Sequence, residues 1–179
     1  MKFARIAAWA CAAVLGAQAA EAAAEGPDCV IVFSQGRSRS DTSPEANAMW
    51  NRLNDAFGQR VVDEFARGGR RAVPMPYPVE ADDADRVTRE LVEGATREKC
   101  PLLAQVGMYA EQGTQSFVSF MSVRRIDFTR MPGGTKVRIG DQVFQRVQRD
   151  PLTRETLDRL SAADVAHNFV ASFAAQGGR

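Results

Sequence analysis

The sequence has a single histidine, His167, among its 179 residues, and this scarcity limits the chemistry open to the protein. Nucleophilic hydrolysis by a serine or a cysteine usually needs a histidine base. On a helix, His167 would point roughly opposite to the apolar face formed by Val165 and Phe169. The sequence also lacks the G-x-S-x-G, H-E-x-x-H and phosphate-loop motifs. We therefore expect His167 to be a solvated side chain and the protein not to be an enzyme.

An excess of charge of either sign is also missing. Lysine and arginine total 23, and aspartate and glutamate total 22, so no global field favours nucleic acid, anionic lipid or acidic substrates. Hydrophobic residues make up 45% and charged residues 25%, which is ordinary globular composition. A length of 179 residues predicts one domain rather than a repeat array or a multidomain protein.

Residues 1–24 are typical of a secretory signal peptide. They combine a basic start at Lys2 and Arg5, an apolar stretch over residues 6–15 and small residues with several A-x-A sites. The apolar stretch is shorter than the roughly 20 residues that a membrane span needs. Cys11 has hardly any apolar run before it, which disfavours lipidation. We expect a periplasmic or secreted single domain over residues 25–179, with no membrane span in the mature form.

Only two cysteines, Cys29 and Cys100, remain once residues 1–24 are removed. An even pair in an oxidising compartment predicts one disulfide, and two separate buried thiols are the alternative. Each cysteine directly precedes an apolar strand, so the bridge requires these two strands to be parallel neighbours. Two cysteines 71 positions apart and one histidine cannot supply the usual four zinc ligands. We expect neither a metal nor a cofactor.

The first half of the chain alternates predicted strands and helices. Residues 29–34 predict a strand buried on both faces, and Ser43 with Pro44 predicts the start of a long helix that ends at Gly68-Gly69. Residues 71–78 predict a strand with three prolines, which can only be an edge strand. Residues 82–85 open a second helix that bears acidic side chains in its first turn.

The second half predicts a β-meander and a last helix. Residues 100–110 and 116–128 predict strands, and Gly140-Asp141 predicts a hairpin turn between two shorter strands. Ser161 and Asp164 resemble a capping box before the helix that carries Val165, Phe169 and Phe173. The predicted fold class is α/β to α+β: a mixed sheet, βαβαβ then an antiparallel meander and a C-terminal helix, with helices packed on it.

This element order, with the apolar strand CVIVFS followed by a long helix, resembles the small α/β envelope modules typified by the amino-terminal domain of TolB and by CsgG. The resemblance covers most of residues 28–175, and the proline-rich second strand departs from it. The resemblance implies a docking domain of an envelope assembly rather than an enzyme.

Candidate binding residues follow the first predicted strand. Gln35, Gly36, Arg37 and Arg39 lie between that strand and a helix, where open α/β sheets place ligand crevices and helix starts attract anions. The alternative interpretation is a solvated loop. The acidic side chains at Glu80, Asp82, Asp83 and Asp85 lack the spacing and the glycine of a calcium loop, so helix capping explains them better.

The sequence therefore favours a secreted or periplasmic, non-enzymatic binding module that docks on another cell-envelope protein. A small periplasmic hydrolase that uses carboxylates and a small-ligand carrier are the alternatives. A docking module should show an apolar patch or an open strand edge, whereas a hydrolase should show a deep polar cleft with convergent acids.

Overall fold

The computed structural model describes residues 28–35, 43–78 and 84–178. Within these ranges, five strands form one sheet. The first strand, β1 (Cys29–Ser34), confirms its prediction, and all six of its residues are buried because helices pack on both faces of the sheet. The other strands are β2 (Arg71–Pro76), β3 (Leu102–Glu111), β4 (Ser116–Met131) and β5 (Gly134–Pro151).

The first and the last of the described helices begin at the capping residues that the sequence indicated. The Ser43 hydroxyl accepts a hydrogen bond from the Ala46 N–H at 3.2 Å, and Gly69 follows the first helix with a φ of 84°. The Ser161 hydroxyl accepts from the Asp164 N–H at 3.2 Å. The short third helix was not predicted. The described helices are α1 (Pro44–Arg67), α2 (Ala84–Glu98), α3 (Arg154–Arg159) and α4 (Ala162–Ala175).

The order of strands in the sheet is β2-β1-β3-β4-β5. β1 pairs in parallel with β2 and with β3, and β4 pairs antiparallel with β3 and with β5. Early β-α alternation followed by short turns thus gives the predicted mixed sheet. β2 is an edge strand, as its prolines required, with Pro74 opposite Val32 and Pro76 opposite Ser34.

Two apolar cores lie on the two faces of the sheet. On the first face, α1 and α4 pack together through edge-to-face ring pairs, Phe57 with Phe169 and Phe65 with Phe173, at centroid distances of 6.3 and 5.9 Å. On the second face, α2 packs its buried residues against β1, β3 and the end of the β4–β5 hairpin. These buried residues are Val87, Leu91 and Ala95.

The predicted hairpin turn at Gly140-Asp141 is wrong. β4 and β5 join at Pro132 and Gly133, because Met131 pairs with Gly134. β5 then continues through Gly140 and Asp141, which together lie opposite the single residue Arg125 in a β-bulge. This arrangement lets Ile126 pair with Ile139, and both side chains pack in the core under α2.

The predicted disulfide between Cys29 and Cys100 is confirmed. The two Cα atoms are 5.0 Å apart, and β1 and β3 are parallel neighbours whose pairing begins at Val30 and Leu102. The bridge thus joins the amino ends of the two strands. A disulfide of this kind indicates an oxidising, extracytoplasmic compartment. Within the described ranges, no helix combines the length and the apolarity needed to cross a bilayer.

Candidate functional site

Gln35 is the one predicted binding residue that the structure describes. It follows β1 directly, where its backbone N–H donates to the Val106 carbonyl of β3 and its side-chain amide donates to the Pro78 carbonyl, both at 3.1 Å. Gln35 therefore links the carboxyl end of β1 to the middle of β3 and to the residues that follow β2. Gly36, Arg37 and Arg39 lie outside the described residues, so their predicted role in binding stays a prediction.

His167 lies on the surface of α4, with 64% of its side chain exposed. Sequence analysis missed its partner: Nδ1 of His167 is 3.1 Å from the Glu64 carboxylate of α1. Glu64 is buried and also contacts Arg67. The histidine thus joins α1 and α4 at the surface of the protein.

Of the predicted acidic cluster, only Asp85 lies among the described residues, in the first turn of α2. Glu80, Asp82 and Asp83 fall outside them, so the interpretation of the cluster as helix capping is tested at Asp85 alone. In the described parts of the chain, no three His, Cys, Asp or Glu side chains come together in a way that could hold a metal ion.

A buried amide closes the edge of β3 where β1 ends. Asn54 of α1 is fully buried, and its side chain accepts from the Met108 N–H at 2.7 Å and donates to the Met108 carbonyl at 3.2 Å. These are the two bonds that a neighbouring strand would make, so Asn54 replaces β1 beyond its last residue. The sequence signal was a single polar residue between Trp50 and Phe57 on the apolar stripe of α1.

On the second face of the sheet, no described helix or strand covers the surface beyond α2. Side chains from β3, β4 and β5 lie there in register, in rows that cross the three strands. The rows are Leu103, Arg124 and Gln142; Gln105, Ser122 and Gln145; Gly107, Phe120 and Val147; and Tyr109, Val118 and Arg149. Within these rows, Leu103 packs under α2 and Val118 is buried. Many residues of the rows line a groove of about 400 Å³, to which Gln35 also contributes. We refer to this surface as the open face.

Phe120 lies at the centre of the open face. It pairs with Gly107, and a Cβ atom at that glycine would be 2.7 Å from the Phe120 ring and 2.5 Å from the Gln35 carbonyl. Glycine is therefore required at position 107 so that the ring can lie against β3. Tyr109 packs edge-to-face on the same ring at 6.2 Å, and both aromatic residues remain partly exposed.

The polar groups of the open face form short chains of hydrogen bonds. The Ser122 hydroxyl donates to the Gln142 amide oxygen at 2.9 Å, and the Gln142 amide donates to Gln145 at 3.0 Å. Arg124 donates to the Gly140 carbonyl at 3.3 Å. At the far end, Arg149 lies 3.7 Å from the Glu111 carboxylate. These contacts orient the amides and leave the guanidinium groups at the surface.

At the amino end of the parallel strands, charged side chains bond β2 to α2. Arg71 of β2 donates to the Glu98 carboxylate at 3.0 Å and to the Glu98 carbonyl at 2.9 Å. Together with Arg97 it keeps the pKa of Glu98 below its usual value.

Near the carboxyl end of β2, the Tyr77 hydroxyl donates to Glu90, which raises the pKa of Tyr77. The Arg71 and Tyr77 contacts both attach the edge strand β2 to α2.

A second groove, of about 460 Å³, lies between β5, α3 and α4 and contains three carboxylates. Asp150 accepts a hydrogen bond from Gln148 at 2.9 Å, and Glu155 pairs with Arg159 at 2.5 Å. Asp164 lies in the first turn of α4, where the helix dipole favours an acid. Two of the three carboxylates thus have neighbours that hold them locally, and the third stabilises a helix start.

No protein-family model matches the chain, and no curated protein matches its sequence. Among solved structures, the chain is similar to a hypothetical protein, CT253, from Chlamydia trachomatis, at 9% sequence identity and a TM-score of 0.34. The match covers 84% of this chain and 95% of the other.

Proposed function

We propose that the protein is a binding module that docks on another protein of the cell envelope and catalyses no reaction. In this proposal residues 1–24 are a cleavable signal peptide that delivers the chain to the periplasm or beyond it, where the Cys29–Cys100 disulfide forms. We also propose that the chain resembles envelope modules of the TolB and CsgG type in serving as a docking domain.

The observation that carries the proposal is the edge formed by β5. This strand is 18 residues long, and no described strand pairs with its outer side. An open edge presents unpaired N–H and C=O groups in the spacing that an extended segment of a partner can match. The first proline of β5 is its last residue, Pro151, so its backbone donors are intact along the rest of the strand. We infer that a partner adds a strand here.

Charge favours an acidic partner strand. Between residues 116 and 151 the chain has seven cationic and three acidic side chains, although the whole chain is nearly neutral. On β5 itself the cations are Lys136, Arg138, Arg146 and Arg149. Opposite charges on facing strands stabilise pairing and like charges oppose it, so an acidic segment fits this edge better than a second copy of β5 does.

The alternative of a carboxylate hydrolase would use the groove between β5, α3 and α4. In that groove Asp150 accepts a hydrogen bond from Gln148, Glu155 pairs with Arg159, and Asp164 lies in the first turn of α4. The geometry therefore supports docking at β5 better than it supports hydrolysis. A purified protein that turns over a glycan or an ester, and loses that activity when Asp150 or Glu155 is replaced by its amide, would favour the hydrolase instead.

Site-specific photo-crosslinking in the native envelope tests the proposal. A photoreactive residue is placed at Val143 of β5, which is 41% exposed, and the matched control is placed at Met49 of α1, which is 51% exposed. We expect a discrete adduct with one protein from position 143 and none from position 49. The same adduct from both positions, or none from position 143, would contradict docking at β5.

A further inference from the structure

The open face presents side chains without offering backbone groups for strand addition. The backbones of β3, β4 and β5 pair with one another along this region, so a ligand on the face must be recognised by side chains alone. The β5 edge can bind a ligand through backbone groups and the open face cannot, so we expect the two surfaces to bind different kinds of ligand.

The side chains of the open face have a particular chemistry. Carboxamides from Gln105 and Gln145 are exposed, and a carboxamide both donates and accepts hydrogen bonds. Phe120 lies between the amide row and the row that contains Tyr109, and it offers an apolar surface. A ligand that carries hydroxyl groups along its rim and C–H groups on its flat faces matches both features.

Charge narrows the choice of ligand. Arg124 and Arg149 lie in the first and the last row of the open face, which are separated by three steps of two residues, or about 20 Å along the strands. Guanidinium groups bind carboxylates and phosphates through charge-assisted hydrogen bonds. The Glu111 carboxylate lies 3.7 Å from Arg149. An elongated ligand with anionic groups at intervals would satisfy both cations.

We propose that the open face binds a linear anionic glycan, such as a chain of uronic acid residues. The aromatic centre packs against a sugar ring, the amides bond its hydroxyl groups, and the two arginines bind its carboxylates. The site goes beyond the docking function and does not depend on it, because it uses the face of the sheet rather than its edge.

The test is a calorimetric titration of the purified mature protein with tetragalacturonate, and with cellotetraose as the neutral sugar. We expect tetragalacturonate to bind more tightly than cellotetraose. Replacing Arg124→Gln or Arg149→Gln should weaken tetragalacturonate binding about tenfold, the loss of one charge-assisted contact. The matched control is Arg125→Gln on the adjacent position of β4, which lines a groove at α4 on the other face and should leave binding unchanged.

Three results would overturn the proposal. The first is no binding of either sugar. The second is an equal loss of binding in the Arg125 variant and the Arg149 variant, which would place the sugar elsewhere. The third is binding of tetraglutamate as tight as that of tetragalacturonate, which would make the face a site for acidic peptides. All the substitutions are at exposed positions, so each variant should keep the fold, and an unchanged thermal unfolding midpoint confirms it.

Discussion

The two halves of the sheet differ in how much of their surface is covered. The parallel half, β2-β1-β3, has helices on both faces, except where Gln105, Gly107 and Tyr109 of β3 belong to the open face, and it has a disulfide at its amino end. Its edge strand β2 is short and contains two prolines that cannot donate to a further strand. The antiparallel half ends in β5, an 18-residue edge strand, and one of its faces is open beyond α2.

This difference separates the residues that hold the fold from those that can recognise a partner. A strand buried on both faces has no surface left for binding, whereas an open edge and an open face contribute less to the core. Substitutions in the parallel half should therefore reduce stability, and conservative substitutions on the open surfaces should reduce binding while stability is kept.

The largest loss of stability should follow removal of the disulfide. Replacing Cys29→Ala and Cys100→Ala together should lower the free energy of unfolding by about 4 kcal/mol, because the bridge closes a long loop in the unfolded chain. Urea unfolding measures the change. Two free thiols in the denatured, non-reduced wild-type protein, or an unchanged unfolding midpoint in the double variant, would contradict this assignment.

A smaller loss of stability should follow the substitution Asn54→Ala. The substitution leaves the N–H and the carbonyl of Met108 without their partners in a buried place, at a cost of about 3 kcal/mol. Gln59→Ala on the exposed side of the same helix is the control and should cost less than about 0.5 kcal/mol. Equal unfolding midpoints for the two variants would show that Asn54 does not close the β3 edge.

The smallest effect on stability is expected at the β2 edge. Replacing Pro74→Thr and Pro76→Thr restores two backbone donors, and the free energy of unfolding should change by less than about 1 kcal/mol. The edge would then be open to pairing, so the variant should self-associate, as measured by light scattering over a range of concentrations. Pro78→Thr, beyond the strand, is the control. A variant that stays as monodisperse as the wild type would show that the prolines do not protect this edge.

Much of the parallel half could be predicted from local signals. Ser43-Pro44 marked the start of α1, the prolines made β2 an edge, and the positions of Cys29 and Cys100 before apolar strands predicted that β1 and β3 are neighbours. Each of these signals is set by backbone chemistry within a few residues, or by the geometry of one covalent bond.

The antiparallel half was harder to predict because its details depend on register. Gly140-Asp141 has the composition of a hairpin turn, yet it forms a bulge, since the true turn at Pro132-Gly133 lets Ile126 and Ile139 reach the core under α2. The open face was missed for a similar reason. Its residues alternate along three strands like any half-buried sheet, and the extent of α2 decides which of them stay uncovered.

Docking at the β5 edge is tested by two successive proline substitutions in β5, Val147→Pro and Gln148→Pro. Backbone N–H groups point alternately toward β4 and outward along this regular part of the strand, so one variant loses a bond to β4 and the other loses only an edge donor. We expect one variant to be destabilised by about 3 kcal/mol. We expect the other to keep the wild-type unfolding midpoint but to lose the adduct formed from position 143. A variant that keeps both its stability and its adduct would contradict docking at the β5 edge.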